Sequence, residues 1–486
     1  MAFMDKIVKF PKFLVLLLFV EVWERFSYYG MRALLVLFLT SSLGYSDPKA
    51  YAIYSLFAAI CYMGPVVGGL IADKLTGFRN MVVLGGTTIV IGHLCMVLVE
   101  LDHELIYLGL GLIAIGNGMF KGNITNLLGS CYKKSEDQER SRGFTLFYVS
   151  VNVGSSVAAI LCAYVAHLYG WHYGFSIAGC GMVLGLIIFI KFQYLLGDSG
   201  ISPRPDLMSK KILGINVPAI LLVSNLFSAS IVAKMLKSSE FFANVTAFFG
   251  FLVLGVFIYV ILKLPRLQRK GLFALLVMIL FQMCFFALEM QLGSLINLFA
   301  QRNVVNKVFG IIIPSAVSQS INPIFIIIFG TLLGTYSKFS KDHSTIKFGL
   351  GILTMPICFF ILYIGCLNAN MEGKVSYIYL ITSIALMGLG ELFIAPLVQE
   401  QATILAPKHI RGLVMGIIML SLAFSNLGGI IISKFMSVSK DAESLEIYRE
   451  GFLKIAIFNL ALFVFFLPCY TFINRIIKKR NQSEDL

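Results

Sequence analysis

The sequence predicts an all-α integral membrane protein with about fourteen transmembrane helices, each of roughly 20 apolar residues. Of its 486 residues, 58% are hydrophobic and 13% are charged, whereas soluble globular domains carry roughly 25% charged residues. The mean hydropathy is +0.86. Apolar stretches recur from Phe13 to Phe472, and no polar block between them is large enough to form a soluble domain. The composition therefore excludes a disordered chain and indicates one polytopic membrane domain.

The predicted spans come from scanning the sequence for apolar runs long enough to cross the hydrocarbon core of a bilayer. The first run follows Lys6, Lys9 and Lys12 but lacks the small-residue cleavage site of a signal peptide, so it is interpreted as a membrane helix. The spans are 13–41, 50–72, 80–99, 105–129, 142–167, 172–195, 212–235, 240–263, 272–300, 313–334, 346–366, 376–404, 410–436 and 450–474.

The distribution of basic residues predicts that both termini are cytoplasmic. An even number of spans places the two ends on one side, and short loops rich in Lys and Arg stay in the cytoplasm. The densest loops on that side carry Lys133, Lys134, Arg140 and Arg142, and then Lys263, Arg266, Arg269 and Lys270. This topology accounts for the net charge of +14, so nucleic acid is not an expected partner.

Two short patterns repeat at an offset of about 270 residues and suggest duplicated halves. Gly116-x-Gly118 in the fourth span matches Gly388-x-Gly390 in the twelfth, and Arg142-Gly143 matches Arg411-Gly412. Parallel repeats of this kind place a transport site near the bilayer midplane. The predicted organisation is an N-terminal six-helix bundle over 1–200, a two-helix insertion over 201–266 and a C-terminal six-helix bundle over 267–486.

Charged residues inside the first span predict one wall of a polar cavity. Glu21, Glu24, Arg25, Tyr28 and Arg32 share an arc of roughly 100° on a helix. Ionisable groups within membrane spans are costly when unpaired and usually mark a functional site. Here the acids and bases neutralise each other at helical-neighbour spacing, and a small rearrangement lets a carboxylate take up or release a proton. The alternative is a buried network that only fixes helix packing.

Lys121 in the fourth span is the next candidate. A buried ammonium must lose its proton or find an anion, and no acid lies within a helical turn of it. Its partner must therefore come from another helix, and Glu289 and Glu391 are the candidates in the ninth and twelfth spans.

These residues lie in motifs that resemble the proton-dependent oligopeptide transporter family of the major facilitator superfamily. Glu21-Val-Trp-Glu24-Arg25-Phe26-Ser-Tyr28-Tyr29-Gly30 is similar to the family signature ExxERFxYYG. Shorter segments along the chain also resemble the family, and they are Gly69 to Arg79, Phe120-Lys121-Gly-Asn123, Phe147 to Ser155, Ser320-Ile-Asn322-Pro323, Gly390-Glu391-Leu392 and Arg411 to Gly416. The resemblance covers the chain from about residue 13 to 472.

The resemblance implies the major facilitator superfamily fold, with two six-helix bundles and two extra helices between them. It implies a proton-coupled symporter that imports di- and tripeptides by alternating access, working as a monomer in the bacterial inner membrane. The implied proton-coupling residues are Glu21, Glu24, Arg25, Lys121 and Glu289. The implied peptide-binding residues are Arg25, Tyr28, Tyr29, Arg32, Tyr62, Lys121, Asn152, Asn322, Glu391 and Ser421.

Two departures from the family pattern concern the C-terminal half. The family commonly has Phe-Glu-Gln where this chain has Leu288-Glu289-Met290-Gln291, so the acid comes one residue earlier. One residue is about 100° of helix rotation, which puts a pairing of Lys121 with Glu289 in doubt. Phe286 and Ile418 stand where the family often has pocket tryptophans, which predicts a different side-chain preference.

Other classes of function find less support in the sequence. The chain has no HExxH, GxSxG or Walker motif, its six histidines are scattered, and its nine cysteines form no CxxC pair. An enzyme is therefore not expected, nor is a bound metal or a cofactor other than the coupling proton. A channel would carry peptide without proton stoichiometry. The main alternative is a carrier of the same fold for another small solute, such as an amino acid or nitrate.

Overall fold

The computed structural model describes residues 10–133, 135–212, 214–308, 310–335, 344–438 and 444–484. Lys6, Lys9 and Lys134, three of the basic residues used in the topology prediction, lie outside these ranges. The described chain divides into two compact units. The first contains the chain up to Met31 together with Gly64–Lys234, and the second contains Arg32–Met63 and the chain from Met235 onward. The division falls within the first two helices.

The first unit contains the beginning of helix α1 and the end of helix α2, followed by the chain into helix α8. Its elements are α1 (Lys12–Ser41), α2 (Asp47–Ile71), a π-helical turn (Ala72–Thr76), α3 (Gly77–Val97), α4 (Leu105–Ser130), α5 (Asp137–Tyr169), α6 (Trp171–Phe192), a 3-10 turn (Gln193–Leu196), α7 (Pro205–Ser209), the antiparallel strands β1 (Lys211–Ile212) and β2 (Ile215–Asn216), and α8 (Val217–Lys237).

Glycines allow α4 to pack closely in this unit. A Cβ atom on Gly118 would lie 2.7 Å from the Cα atom of Gly64 on α2, and one on Gly116 would lie 2.7 Å from the carbonyl oxygen of Gly85 on α3. Small residues permit this kind of helix contact within a membrane. The first copy of the repeated Gly-x-Gly pattern is therefore a packing surface that fixes the position of the polar residues beside it.

The second unit contains the remainder of α1 and α2 and most of the C-terminal half. Its further elements are α9 (Ser239–Lys263), α10 (Arg266–Glu289), a 3-10 turn (Met290–Gly293), α11 (Leu295–Asn303), strands β3 (Lys307–Val308) and β4 (Ile311–Ile312), a 3-10 turn (Ser315–Ser320), α12 (Ile321–Thr335), α13 (Ser344–Leu367), α14 (Tyr377–Leu405), a 3-10 turn (Lys408–Ile410), α15 (Arg411–Asn426), α16 (Gly428–Met436) and α17 (Ser444–Glu484).

A buried ion pair ties three elements of the second unit together. Arg302 on α11 donates two hydrogen bonds to the carboxylate of Asp47 at the start of α2, of 2.7 and 2.8 Å. The backbone N–H of Val438 donates a third to the same carboxylate at 3.1 Å. The Asp47 side chain is only 3% exposed. A bidentate pair with an added backbone donor satisfies the buried charge.

Twelve helical stretches among the described residues are long and apolar enough to cross a membrane, so the chain is a multi-pass membrane protein. Two features account for the difference from the fourteen predicted spans. Helix α1 is not among the twelve, because charged residues interrupt its apolar sequence. Asp47–Val97 is one continuous helical stretch that covers the second and third predicted spans.

The predicted span 272–300 corresponds to the apolar stretch Gln268–Gly293, but its α-helix ends at Glu289 and does not continue to residue 300. A 3-10 turn over Met290–Gly293 separates α10 from α11. A Cβ atom on Gly293 would overlap the hydroxyl group of Tyr54 from α2, so only glycine lets α2 approach at this turn. The predicted span 410–436 is likewise divided into α15 and α16.

Candidate functional site

Helix α1 carries a buried triad of two acids and one base in the first unit. The Nε atom of Arg25 lies 3.0 Å from Oε1 of Glu21 and 2.5 Å from Oε2 of Glu24. All three side chains are at most 3% exposed. Such burial of charge is stable only with close pairing. The helical spacing seen in the sequence therefore brings these groups into direct contact, as predicted.

Helix α4 adds two polar side chains to this triad. The side-chain amide of Asn117 donates a hydrogen bond of 3.1 Å to Oε1 of Glu24. The Lys121 ammonium, one turn further along, interacts electrostatically with both Glu21 and Glu24. We refer to Glu21, Glu24, Arg25, Asn117 and Lys121 as the first charge cluster. It contains two acids and two bases, so its formal charges balance.

The first charge cluster retains donors and acceptors for a ligand or for water. Nη2 of Arg25 and Oε2 of Glu21 are buried and make no hydrogen bond to the described part of the protein. The Arg25 guanidinium lies 5.9 Å from the ring centroid of Tyr28, within the range of a cation–π contact. Tyr29 packs edge-on against Tyr28 with ring centroids 5.2 Å apart. The buried Arg25 guanidinium thus has an aromatic neighbour as well as an unsatisfied donor.

A second group of charged residues lies in the second unit. The side-chain amide of Asn322 on α12 donates to Oε1 of Glu289 on α10 at 3.1 Å and to Oε2 of Glu391 on α14 at 3.4 Å. Arg32 interacts electrostatically with both carboxylates. We refer to Arg32, Glu289, Asn322 and Glu391 as the second charge cluster. Two carboxylates accompany one guanidinium, so its formal charge is one negative unit.

The position of Arg32 is fixed by a residue that the sequence did not indicate. Its Nε atom donates to the hydroxyl of Tyr54 on α2 at 2.5 Å, and that hydroxyl donates to the backbone carbonyl of Met290 at 3.2 Å. The 3-10 turn after Glu289 thus provides the carbonyl that positions Tyr54. On α14, a Cβ atom at Gly388 would lie 2.9 Å from Oδ1 of Asn322, so the second copy of Gly-x-Gly lets Asn322 reach Glu391.

Three predicted peptide-binding residues make other contacts. The amide nitrogen of Asn152 donates to the carbonyl of Tyr148 in its own helix at 2.9 Å. The hydroxyl of Ser421 donates to the carbonyl of Ile418 at 2.7 Å and lies on an apolar cavity. Tyr62 is half-buried on α2. These contacts do not connect any of the three residues to either charge cluster.

The acids near Lys121 differ from the candidates taken from the sequence. The predicted partner from another helix is present, but the carboxylates beside Lys121 in the first unit are Glu21 and Glu24. Glu289 instead lies with Arg32 and Asn322 in the second unit. The sequence reasoning also missed Asn117. Its signal was available, since it is a polar side chain between two glycines of an otherwise apolar span.

No group of three or more His, Cys, Asp or Glu side chains within the described ranges is arranged to hold a metal ion. The chemistry that the two clusters offer is binding of ions and exchange of protons. Buried carboxylates paired with Arg and Lys respond to a proton or to a new anion by rearranging their pairs.

The chain as a whole is similar to several known proteins. A sequence profile of the POT family matches residues 79–449. The dipeptide and tripeptide permease A of Proteus mirabilis is 30% identical over 455 residues, which cover 92% of each chain. Permease A of Salmonella typhimurium is 29% identical over 485 residues, covering 98% of this chain and 95% of the relative.

Solved structures give the same result. A structure reported for substrate recognition in proton-dependent oligopeptide transporters has a TM-score of 0.81 at 28% identity, covering 95% of this chain and 99% of the other. A bacterial homologue of the human drug peptide transporters has a TM-score of 0.80 at 26% identity, covering 95% and 98%. These neighbours confirm the predicted fold, and the profile match extends over more than half of the sequence. The chain belongs to the POT family.

Proposed function

We propose that this protein imports di- and tripeptides together with protons by alternating access. The family assignment and the similarity to two dipeptide and tripeptide permeases support a peptide substrate. The observation that carries the proposal is the second charge cluster, where Asn322 holds two carboxylates near one guanidinium. A short peptide carries one ammonium and one carboxylate, separated by about 3.3 to 3.6 Å per residue when extended. The carboxylates of the cluster can therefore pair with the peptide ammonium, and its guanidinium can pair with the peptide carboxylate.

In this proposal Glu391 binds the peptide ammonium. It is only half-buried, and its hydrogen bond from Asn322 is the longer of the two, so it has free capacity to accept. The negative formal charge of the second cluster favours a cation. Arg25, Arg32 and Lys121 are the proposed partners of the peptide carboxylate, because charge-assisted contacts to a carboxylate are the strongest available to these side chains.

All short peptides share two charged ends and a backbone of amide groups, and the proposed contacts are made to these features. We therefore propose broad tolerance of side chains. Tyr28, Tyr29, Tyr62, Asn152 and Ser421 remain the proposed neighbours of the peptide backbone and side chains. Their assignment comes from the resemblance to the family motifs, and each is a separate target for substitution.

Proton coupling is proposed to follow from the balanced charge of the first cluster. A proton on Glu24 removes one negative charge, so that Arg25 and Lys121 outweigh the remaining carboxylate. The cluster then attracts an anion such as the peptide carboxylate, and release of the peptide favours release of the proton. An inward proton provides about 2.3 kcal/mol per 100 mV and about 1.4 kcal/mol per pH unit. Glu289, which has Arg32 as its basic neighbour, is a proposed second coupling residue.

The membrane and orientation are also part of the proposal. Both termini are placed in the cytoplasm on the strength of the basic loops, and the bacterial inner membrane is the proposed location. One chain is the proposed transport unit, since a single chain supplies every residue of each charge cluster. Protons serve as the coupling ion, and no other cofactor is proposed.

The test is uptake of labelled dialanine into proteoliposomes driven by an inward pH gradient. The proposal expects accumulation that collapses when the gradient is dissipated, competition by a tripeptide, and no competition by a free amino acid or nitrate. Peptide flux that is insensitive to pH and only equilibrates across the membrane would favour a channel. Competition by nitrate or an amino acid, without competition by tripeptide, would replace the peptide with that solute.

A further inference from the structure

The second unit contains a cavity of about 390 Å³ that none of the charged residues lines. Its walls come from α9, α10 and the α15–α16 region, with Leu276, Ile279 and Met283 on α10 facing Phe424 on α15 and Phe251 on α9. The volume is within the range of about 300 to 1,000 Å³ that small-molecule sites occupy in proteins. The cavity is large enough to hold a ligand of its own.

Apart from Asn244 at one end, the polar side chains Ser421 and Ser425 of the cavity wall already have hydrogen-bond partners. The hydroxyl of Ser421 donates to the carbonyl of Ile418 at 2.7 Å, and the hydroxyl of Ser425 donates to the carbonyl of Met283 at 3.0 Å. A ligand with hydrogen-bonding groups would compete with these bonds and leave its own groups unsatisfied in an apolar wall. The wall therefore selects an apolar occupant.

The cavity opens sideways, toward the surface that faces lipid. Its inner wall is buried, with Ile279 only 3% exposed, whereas Phe251 and Ile431 at its rim are 74% and 64% exposed. Helix α9 is one of the apolar spanning helices, and only 17% of its most apolar window is buried. Large exposed apolar side chains on such a helix lie against hydrocarbon chains. The mouth of the cavity therefore meets the bilayer.

The length and depth of the cavity match one half of a bilayer. Its lining runs from Ala243 to Leu254 on α9 and from Leu276 to Ala287 on α10, which at 1.5 Å per residue is about 16 Å on each helix. The hydrocarbon core is about 30 Å thick, so one leaflet is about 15 Å. Ala287 lies two residues before Glu289, which Asn322 joins to Glu391 at the middle of the spanning helix α14. The end of the cavity at Asn244 and Ala287 is therefore near the middle of the membrane, and the other end points toward the loop between Lys263 and Arg266. The cavity therefore spans from near the middle of the membrane to one face.

We propose that this cavity binds one acyl chain of a bilayer phospholipid, inserted between α9 and α10. The headgroup lies toward the end marked by Leu254 and Leu276, and the methyl terminus lies at the end marked by Asn244 and Ala287. The occupant packs against α10, whose last residue is Glu289, and against α15, which carries Ser421. Ser421, which lines this cavity, is the one residue shared with the peptide-binding residues proposed above, and the inference does not depend on that proposal.

The test uses the full chain in nanodiscs of phosphatidylethanolamine and phosphatidylglycerol, doped with phospholipids that carry a photoreactive diazirine at one of three depths along an acyl chain. After irradiation, cross-linked residues are mapped by mass spectrometry. The proposal expects the terminal diazirine to label Asn244 and Ala287, and the diazirine nearest the headgroup to label Leu254 and Leu276. Labelling of the inner wall that does not follow diazirine depth would overturn it.

A filled cavity provides the matched variant. Ala247→Phe adds a ring inside the cavity, whereas Val256→Phe adds the same ring on a lipid-exposed position of α9 outside the lining. We expect Ala247→Phe to reduce labelling of Met283 about tenfold and Val256→Phe to leave it unchanged. Equal labelling of Met283 in both variants would overturn the proposal. The proposal would also be overturned if a photoreactive dipeptide labelled Met283 and excess phospholipid did not reduce that labelling. The depth series on the unaltered chain tests the proposal even if Ala247→Phe does not fold.

Discussion

Replacing Glu391 by glutamine should weaken binding of peptides with a free amine by about 10- to 100-fold. The second charge cluster contains two carboxylates and one guanidinium, so the substitution removes its net negative charge as well as one charged acceptor. A hydrogen bond to a charged group contributes about 1.5 to 3 kcal/mol, and each 1.4 kcal/mol is a factor of ten in affinity. Glutamine keeps the shape of the side chain and can still accept from Asn322, so the fold should persist.

The assay is counterflow of labelled dialanine in proteoliposomes, competed in parallel by unlabelled dialanine and by its N-acetyl derivative. If Glu391 binds the ammonium, the apparent affinity for dialanine falls while the affinity for the acetylated peptide, which has no ammonium, stays nearly constant. Glu400→Gln, at an exposed position further along the same helix, is the matched control and should change neither value. An equal loss for the two peptides would refute the assigned role.

Three other substitutions test the charge clusters and the packing around them. Glu24→Gln should retain peptide exchange but lose accumulation driven by a pH gradient, measured in the same proteoliposomes, because the residue can no longer exchange a proton. Asp47→Ala leaves the half-buried Arg302 without its carboxylate and should lower the free energy of unfolding by about 3 kcal/mol, the lower end of the range for a broken buried pair, read from thermal melts in detergent. Gly293→Ala should lower the melting temperature and the uptake rate, because the added methyl group overlaps the tyrosine hydroxyl on α2.

Each of these predictions has a control. Accumulation retained by Glu24→Gln would contradict a coupling role. The control for Asp47→Ala is Glu450→Gln, which removes one partner of an exposed ion pair with Lys454. This control should leave the melting temperature unchanged. Equal effects of the two substitutions would contradict the argument from burial. Gly255→Ala adds a methyl group where no atom lies within 4 Å, so a similar loss there and at Gly293 would show that the overlap is not the cause.

The sequence predicted most of the helices because the signal for a spanning helix is local. Apolar length and helical period depend on neighbouring residues only, and the contact of Arg25 with Glu21 and Glu24 follows from their spacing on one helix. The break after Glu289 was not predictable in this way. It depends on Tyr54, more than two hundred residues earlier in the chain, packing against Gly293, and no local pattern reports such a contact.

The same limit applies to partners in the candidate site. For Lys121 the sequence required an acid from another helix, but which acid depended on how α4 packs against its neighbours at Gly116 and Gly118. For Ser421 the family motif suggested the peptide site, whereas the structure shows that its hydroxyl is bonded within α15 and faces an apolar cavity. Residue types and motifs therefore indicated which side chains carry the chemistry of the site, but the packing of the helices determined which side chains contact each other.

The buried charges of α1 also have a consequence for biosynthesis. On insertion scales a residue such as Arg, Lys or Asp at a helix centre costs about 2.5 to 3.5 kcal/mol, so the ionisable groups of α1 oppose its release from the translocon into lipid. The first side chain from another helix to meet Glu24 is Asn117, 93 residues later. At about 5 to 20 residues per second that segment emerges roughly 5 to 20 s afterwards. Glu24 therefore stays without this partner until α4 has been synthesised, although Arg32 further along α1 meets Tyr54 on α2 only 22 residues later in the chain.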